Sequence, residues 1–447
     1  MTDGLILAVL LLASVAYGLK AQRRSGGVPA ALVFLSLVAS FLGGGFSFGL
    51  AGRAFAQGWQ PVLALWGFSL GTVLVGWFLA PRLSRFQGCT SVGEVLGRAY
   101  GPVARGAAGL LAALFCSAVL GAQLRSLSVA LSAWMGLPGV LAVGVSATLL
   151  WALTVSGGIR GLLAVAPLQC ALLVAGYALM LALGLARGGG LSAVLAAAPA
   201  ADGQPAALLG AFLLYASGET LAPPYVRSLL LGRDGAASRR GVVAAGAVSA
   251  ALFVVSGLAG LTARVVLPGI APEGALPALL GAVLPMGLRG VAAAGVLSGL
   301  MACGSAYLCA AVDNLRGDVL QHAQGSWWSS PAVLGAAFVA VASAVALWSR
   351  DVLGALALAY SLWAPAITAP LWVAAFVPRP PAVLFPVCGG AGVAAMVTWE
   401  LCGNPLDIPG AVFGIIVSAG IAGWLLCSHK SNAGRPVGAS IAAIWRR

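Results

Sequence analysis

Two long apolar segments of this chain are interrupted in their middles. The segment 30–55 contains three consecutive glycines at 43–45, and the segment 206–230 contains Pro223 and Pro224. A helix can break at membrane depth only where its freed backbone groups are buried in protein or face a water-filled cavity, because lipid satisfies no hydrogen bonds. Matched breaks in two halves of a membrane chain indicate the binding site of a transporter.

The composition of the chain indicates a membrane protein. Of its 447 residues, 61% are hydrophobic and only 8% are charged, which excludes a soluble protein. The net charge of +13 does not indicate nucleic-acid binding, because the 24 basic residues are spread along the ends of apolar segments. Apolar runs of about twenty residues predict an all-α protein with about thirteen transmembrane helices. The predicted spans are 4–20, 30–55, 61–81, 105–134, 139–157, 161–185, 206–230, 240–267, 282–320, 331–349, 353–377, 382–401 and 409–427.

The distribution of basic residues predicts the orientation. Most of the 24 fall into loops on one side when the N-terminus is placed outside, and cytoplasmic loops are the ones enriched in Lys and Arg. We therefore expect an integral protein of the bacterial cytoplasmic (inner) membrane with a cytoplasmic C-terminus. Basic residues follow span 4–20 instead of preceding it, so it is predicted as a retained helix and not a signal peptide. The tail 429–447 either lies on the inner leaflet or is unstructured.

The span count predicts an inverted repeat within a single membrane domain, 1–428. Each break lies in the first helix of a set of five spans, which gives repeats at 30–185 and 206–377. Two units of five spans inserted in succession have opposite orientations, an arrangement common in secondary transporters. An extra helix within 1–25 precedes the repeats, and two extra helices within 382–428 follow them.

The residues near the breaks are the candidates for solute binding. Glu219 places a carboxyl at the second break, and a carboxylate at this depth usually marks an ion or substrate path. The alternative is a structural ion pair, for which Arg125, also within a span, is the candidate partner. The alternative for the glycines is a helix-packing face, and that for the aromatic residues is packing or interfacial anchoring. The predicted solute-binding residues are Phe46, Ser47, Tyr215, Glu219, Thr220, Arg125, Tyr360 and Trp363.

Other polar residues give weaker signals. Ser298, Ala302 and Ser305 share one helical face, and the spacing of Asp313 and Arg316 favours a local helical pair. The eight cysteines lie mostly in apolar runs without paired spacing and are expected to be small packing residues. No nucleophile triad, phosphate loop or metal-binding spacing supports an enzyme, and no cofactor is expected.

Together these segments resemble the sodium/solute symporter family, whose members share the five-plus-five inverted-repeat fold of the bacterial leucine transporter. The run Gly43-Gly44-Gly45-Phe46-Ser47-Phe48-Gly49 looks like the glycine-rich first core helix of that family. The cytoplasmic loop motif of the family is similar to Ser91-Val92-Gly93-Glu94-Val95-Leu96-Gly97-Arg98-Ala99-Tyr100-Gly101. The opening of the family's fifth core helix is similar to Gly157-Gly158-Ile159-Arg160 followed by Gln169. The end of its sixth core helix is similar to Pro224-Tyr225-Val226-Arg227-Ser228-Leu229-Leu230.

The resemblance implies a sodium site, and this chain departs from it. Carbonyl groups that map to Ala39 and Leu42 would contribute, together with a Ser-Thr pair that here is Ala302 and Cys303. Sodium prefers oxygen ligands, which neither a methyl group nor a thiol provides. A Thr-Asp pair of the fifth core helix likewise maps to Val165 and Ala166. Ser305 or Ser298 would have to compensate, so the sodium site is predicted to be degenerate.

The sequence therefore predicts a secondary transporter, a symporter that moves a small polar solute by alternating access. Sodium coupling and proton coupling through Glu219 remain open. The alternative is a membrane sensor or assembly subunit that keeps the fold without transporting. The predicted partners are the solute and the lipid bilayer, without nucleic acid, and the sequence identifies no protein partner.

Overall fold

The computed structural model of the protein is helical throughout the segments it describes. These are residues 28–41, 43–200, 205–323, 325–348 and 352–432. The predicted span 4–20, the carbonyl of Leu42 and most of the predicted tail 429–447 lie outside them.

The helices follow the apolar runs of the sequence. In chain order they are α1 Ala30–Phe41, α2 Gly45–Gln57, α3 Gln60–Phe86, α4 Val92–Tyr100, α5 Pro102–Met135, α6 Gly139–Arg187, α7 Leu191–Ala196, α8 Pro205–Ser217, α9 Pro223–Leu231, α10 Gly235–Val266, α11 Ala275–Val283, α12 Leu288–Val319, α13 Pro331–Trp348, α14 Val352–Phe376, α15 Leu384–Leu401 and α16 Gly410–Asn432. Short 3-10 turns connect several of them.

The number of spans is compatible with the prediction. Within the described residues, 9 helices are long and apolar enough to cross a membrane, and two bent pairs raise the number to 11. The first half of α6, Gly139–Val155, is a shorter apolar helix. Span 4–20 lies outside the described residues, so the total of thirteen remains a prediction.

Both predicted breaks are present. The axes of α1 and α2 differ by 58°, and those of the helices on either side of the second break by 51°. The second half of that span, α9, begins at Pro223, where a proline without an N–H costs the helix no hydrogen bond. The glycines and prolines that identified the breaks in the sequence therefore bend the two spans at those positions.

One predicted boundary agrees with the structure and another was wrong. The predicted gap between spans 139–157 and 161–185 contains Gly158, whose φ of +52° separates two helical halves of α6. The predicted span 282–320 is instead the end of α11 followed by α12, because Pro285 and Gly287, with φ +91°, interrupt the helix. This error arises where a glycine adopts a left-handed backbone that the apolar pattern does not register.

Small residues let the helices approach each other closely. A Cβ atom at Gly67 or Gly71 of α3 would overlap the backbone carbonyls of Phe212 and Ala216 in α8. Helix α12 is almost entirely buried and packs against α5 and α6. This packing of backbone against backbone is how membrane helices associate without a hydrophobic driving force between them.

The loop motif at residues 91–101 forms the capped helix α4. The Ser91 hydroxyl accepts a hydrogen bond from the Glu94 N–H at 2.9 Å, and the Glu94 carboxylate accepts one from the Thr90 N–H at 2.6 Å. Arg105, at the start of α5, pairs with Glu94 and with the buried Asp318 of α12, each at 3.0 Å. This network connects α4, α5 and α12 at the end of the bundle predicted to be cytoplasmic.

Candidate functional site

The two breaks meet at a small internal cavity. It has room for about one water molecule. Residues of four parts of the fold surround it: the first break, α5, the segment 219–225 and α12. Its lining residues are Ser40, Phe41, Gly43, Gly45, Phe46, Gln123, Glu219, Tyr225, Cys303 and Tyr307.

Gln123 of α5 holds the first break. Its side-chain oxygen Oε1 accepts a hydrogen bond from the Gly44 N–H at 2.5 Å, and Gln123 is 2% exposed. A Cβ at Gly43 would overlap Cys303, and one at Gly44 would overlap Ser126, so the break must be glycine to approach α5 and α12. Gln123 was not among the predicted site residues, although an amide in the middle of span 105–134 was a signal.

Hydroxyl groups donate to backbone carbonyls at both breaks. The Ser47 hydroxyl donates to the Gly43 carbonyl at 2.7 Å. Thr220 donates to Ala216 at 3.1 Å, and Thr368 of α14 donates to Ser217 at 3.1 Å. Ser47 and Thr220 were predicted to bind solute, and that remains a prediction; in the structure their hydroxyls donate to the backbone of the breaks.

The Glu219 carboxyl lies among tyrosines in the unwound stretch between α8 and α9. Glu219 is 3% exposed, and the structure gives its Oε2 atom no hydrogen-bond partner among the described residues. Tyr360 of α14 places its hydroxyl next to this carboxyl, and Tyr225 and Tyr307 are close enough to interact with its charge. The hydroxyls of Tyr307 and Tyr360 are also buried without a partner in the described part of the chain.

No basic side chain is among the described residues that line this cavity. Arg125, the predicted partner of Glu219, instead pairs with Glu273, its Nη2 atom lying 3.4 Å from the Glu273 carboxylate. The structural ion pair considered from the sequence is therefore not the one the structure forms.

Aromatic rings continue the wall beyond the cavity. Phe46 packs edge-on against Phe253 and Tyr215, with ring centroids 5.0 and 6.4 Å apart. Tyr215 also packs against Tyr360, with ring centroids 6.4 Å apart. Trp363 stacks on Phe115 of α5 with centroids 5.2 Å apart. The predicted residues Phe46, Tyr215, Tyr360 and Trp363 thus belong to one continuous aromatic layer, all buried.

The predicted sodium position is apolar. Ala39 of α1, Ala166 of α6 and Ala302 of α12 pack against one another, with Leu35 beside them. Ser305, a possible replacement ligand, is buried without a hydrogen-bond partner among the described residues, and Cys303 lines the cavity. We call Ala39, Ala166 and Ala302 the alanine cluster. Its side chains offer no oxygen, so they do not fit a sodium ion at this position.

A second small cavity lies towards the predicted cytoplasmic side. It shares Ser40 with the first cavity, and Ser36, Pro224, Arg227, Ser228, Ala302 and Ala306 complete its lining. Arg227 of α9 forms an ion pair with Asp313 of α12 and donates to the Cys309 sulfur at 3.1 Å. The sequence favoured a local pair between Asp313 and Arg316, and the structure shows an ion pair between two different helices instead.

Comparison with solved structures identifies the fold. A Na+-coupled sialic acid symporter, in a substrate-bound outward-open state, is similar over 95% of this chain and 98% of its own, with a TM-score of 0.79 and 18% identity. Mhp1, a nucleobase-cation-symport-1 family transporter, in a closed conformation with bromovinylhydantoin bound, gives a TM-score of 0.66 at 15% identity, covering 91% of this chain and 94% of its own. The inward-facing conformation of Mhp1 gives a TM-score of 0.61 at 16% identity, covering 94% of this chain and 100% of its own.

No protein-family model and no curated protein sequence matches the chain. The structural similarity at this level of identity shows the fold. The protein is therefore an integral, multi-pass, all-α membrane protein with the five-plus-five inverted-repeat fold of the bacterial leucine transporter, in which the first and sixth core helices are broken.

Proposed function

We propose that this protein is a secondary active transporter, a symporter that moves a small polar solute by alternating access around the junction of its two breaks. One observation carries the proposal: the two broken spans enclose a buried carboxyl, Glu219, whose Oε2 atom has no partner among the described residues. Broken helices at the centre of such a fold are where transporters bind solute and ion. The three similar structures belong to transporters, which supports this proposal.

In this proposal the aromatic layer forms the solute bed. Phe46, Tyr215, Tyr360 and Trp363 provide apolar faces, and the buried hydroxyl of Tyr360 and indole N–H of Trp363 are unpaired in the described chain and can bind polar groups of the solute. Glu219 supplies a negative charge at the edge of this bed, for the solute or for its coupling ion. Ser47 and Thr220 contribute through the backbone of the breaks that their hydroxyls hold.

Two ion pairs serve as the closures of the pathway. On the cytoplasmic side, Arg227 with Asp313 joins α9 to α12. On the outer side, Arg125 with Glu273 joins α5 to the turn before α11. Each pair connects elements that must separate for the cavity to open on that side, so Arg125 acts in the outer closure and not in the solute bed.

The coupling ion is a monovalent cation, sodium or a proton, and the alanine cluster does not hold it. A symporter with the fold of this chain needs an ion whose binding favours one arrangement of the broken helices. The side chains of Ala39, Ala166 and Ala302 provide no oxygen, so the position that the resemblance implied lacks the side-chain ligands it would need.

A solute screen tests the proposal. Purified protein is heated with a panel of small polar solutes, and a solute that raises the midpoint of thermal unfolding is then tested for uptake into proteoliposomes. Glu219→Gln should abolish both responses, whereas Glu400→Gln, at an exposed helix end, should leave them unchanged. Stabilisation by a solute without any gradient-driven uptake would reject transport and favour the sensor alternative.

A further inference from the structure

We propose that the cavity at the junction of the two breaks is a sodium site whose charged ligand is Glu219. The binding of the ion is independent of the proposed transport, and only its role as coupling ion rests on that proposal. The site would replace the one that the resemblance places at Ala39 and Ala302.

The first argument is the size of the cavity. It accommodates about one water molecule, whereas an organic solute requires a cavity many times larger. A dehydrated sodium ion is smaller than a water molecule. The cavity therefore fits a single monatomic ion, and the solute bed lies in the aromatic layer next to it.

The second argument is the convergence of unused oxygens. Oε2 of Glu219 and the hydroxyl of Tyr307 are buried without partners in the described chain, and both residues line the cavity. Gln123 lines it too, and its amide oxygen, which accepts one bond from Gly44, keeps a second lone pair. A proton needs only one oxygen, but several oxygens from different helices are what a hard cation requires.

The third argument is the end of α1. Ser40 and Phe41, its last two residues, line the cavity. Carbonyl groups in the last turn of a helix lack partners within the helix and carry the negative end of its dipole. This end favours a cation, and no basic side chain among the lining residues competes for it.

The fourth argument relates the new site to the alanine cluster. Ala39 and Ala302 belong to that cluster, and the residues that follow them, Ser40 and Cys303, line the cavity. On both α1 and α12, the residue that lines the cavity thus follows directly after the alanine of the cluster. A single carboxylate at Glu219 supplies the negative charge and the oxygen that the alanines lack.

Sodium binding to the full-length purified protein tests the site without any solute. The midpoint of thermal unfolding is measured in NaCl, KCl and choline chloride at equal ionic strength and pH, and binding of radioactive sodium is measured directly. We expect sodium alone to stabilise the protein. Glu219→Gln should weaken sodium binding by about 100-fold or more, because a buried charge partner is lost. Tyr307→Phe, which removes one hydroxyl, should weaken it by about tenfold.

A control variant and the pattern of responses separate the possible outcomes. Glu400→Gln, at an exposed helix end, should bind sodium as the parent does. Sodium binding that survives Glu219→Gln, equal stabilisation by all three salts, or a response to pH without one to sodium would overturn the site. The last result would make Glu219 a proton site. Sodium binding without uptake would reject transport alone, and uptake without sodium binding would reject this site alone.

Discussion

Substitutions of two buried glutamines of this chain are expected to have different effects on stability. Gln123 of α5 and Gln169 of α6 are 2% and 1% exposed. Gln123 accepts the Gly44 N–H at the first break, whereas the structure gives neither amide atom of Gln169 a partner in the described chain. Replacing each with methionine keeps the length and approximate volume of the side chain and removes its polar atoms.

The magnitude follows from which groups lose their partners. Gln123→Met leaves the buried Gly44 N–H without an acceptor, which costs about 1–3 kcal/mol. Gln169→Met removes an amide whose burial is not compensated by a hydrogen bond, so its expected effect is between zero and a gain of about 1 kcal/mol. The two substitutions should therefore differ by about 2 kcal/mol in the free energy of unfolding.

The measurement is the midpoint of thermal unfolding of the purified variants at one scan rate, because membrane proteins often unfold irreversibly. We expect the midpoint of Gln123→Met to fall by roughly 2–5 °C and that of Gln169→Met to stay or rise. Equal losses in both variants would refute the argument from hydrogen bonding. A large loss for Gln169→Met alone would show that its amide binds a water molecule or ligand essential to the fold.

Three further predictions concern the ends of the bundle and its packing. Asp313→Asn removes the charged partner of Arg227 and should lower the free energy of unfolding by about 1–3 kcal/mol, since the pair is neither exposed nor fully buried. It should also increase the labelling of cysteines by maleimide from the cytoplasmic side, as measured by mass spectrometry. Gly71→Ala should lower the thermal midpoint because its Cβ would overlap α8, whereas Gly106→Ala, with nothing near its Cβ, should leave the midpoint unchanged or raise it. Ser91→Ala should cost about 1 kcal/mol by removing the cap of α4, and equal midpoints for this variant and the parent would contradict the capping role.

The sequence predicted the features that depend on local composition. Apolar runs gave most spans to within a few residues, and the glycines at 43–45 and the prolines at 223 and 224 located both breaks. These predictions succeed because lipid requires long apolar segments and because Gly and Pro disrupt helices wherever they occur. Gly287 was missed because nothing in an apolar pattern distinguishes a glycine that bends a helix from one that packs.

The contacts of the site depend on distances between helices that the sequence does not contain. Gln123, Tyr225 and Tyr307 were not predicted, although they line the cavity with Glu219. Arg125 was assigned to Glu219 because both lie within spans, and the structure pairs it with Glu273. A one-dimensional pattern gives the depth of a charge in the membrane but not the helix it faces.

The alanine cluster and the Glu219 cavity differ in what an ion could change. In the alanine cluster α1, α6 and α12 touch through methyl groups, so this contact is equally favourable with or without an ion. A ligand shifts a conformational equilibrium only through a difference in its affinity for the two states. In the proposed sodium site, a charged Glu219 would lie among aromatic rings without a basic side chain among the described lining residues, so closing the breaks around the carboxylate would cost less once a cation binds. The proposed site therefore places the coupling between ion and solute at Glu219.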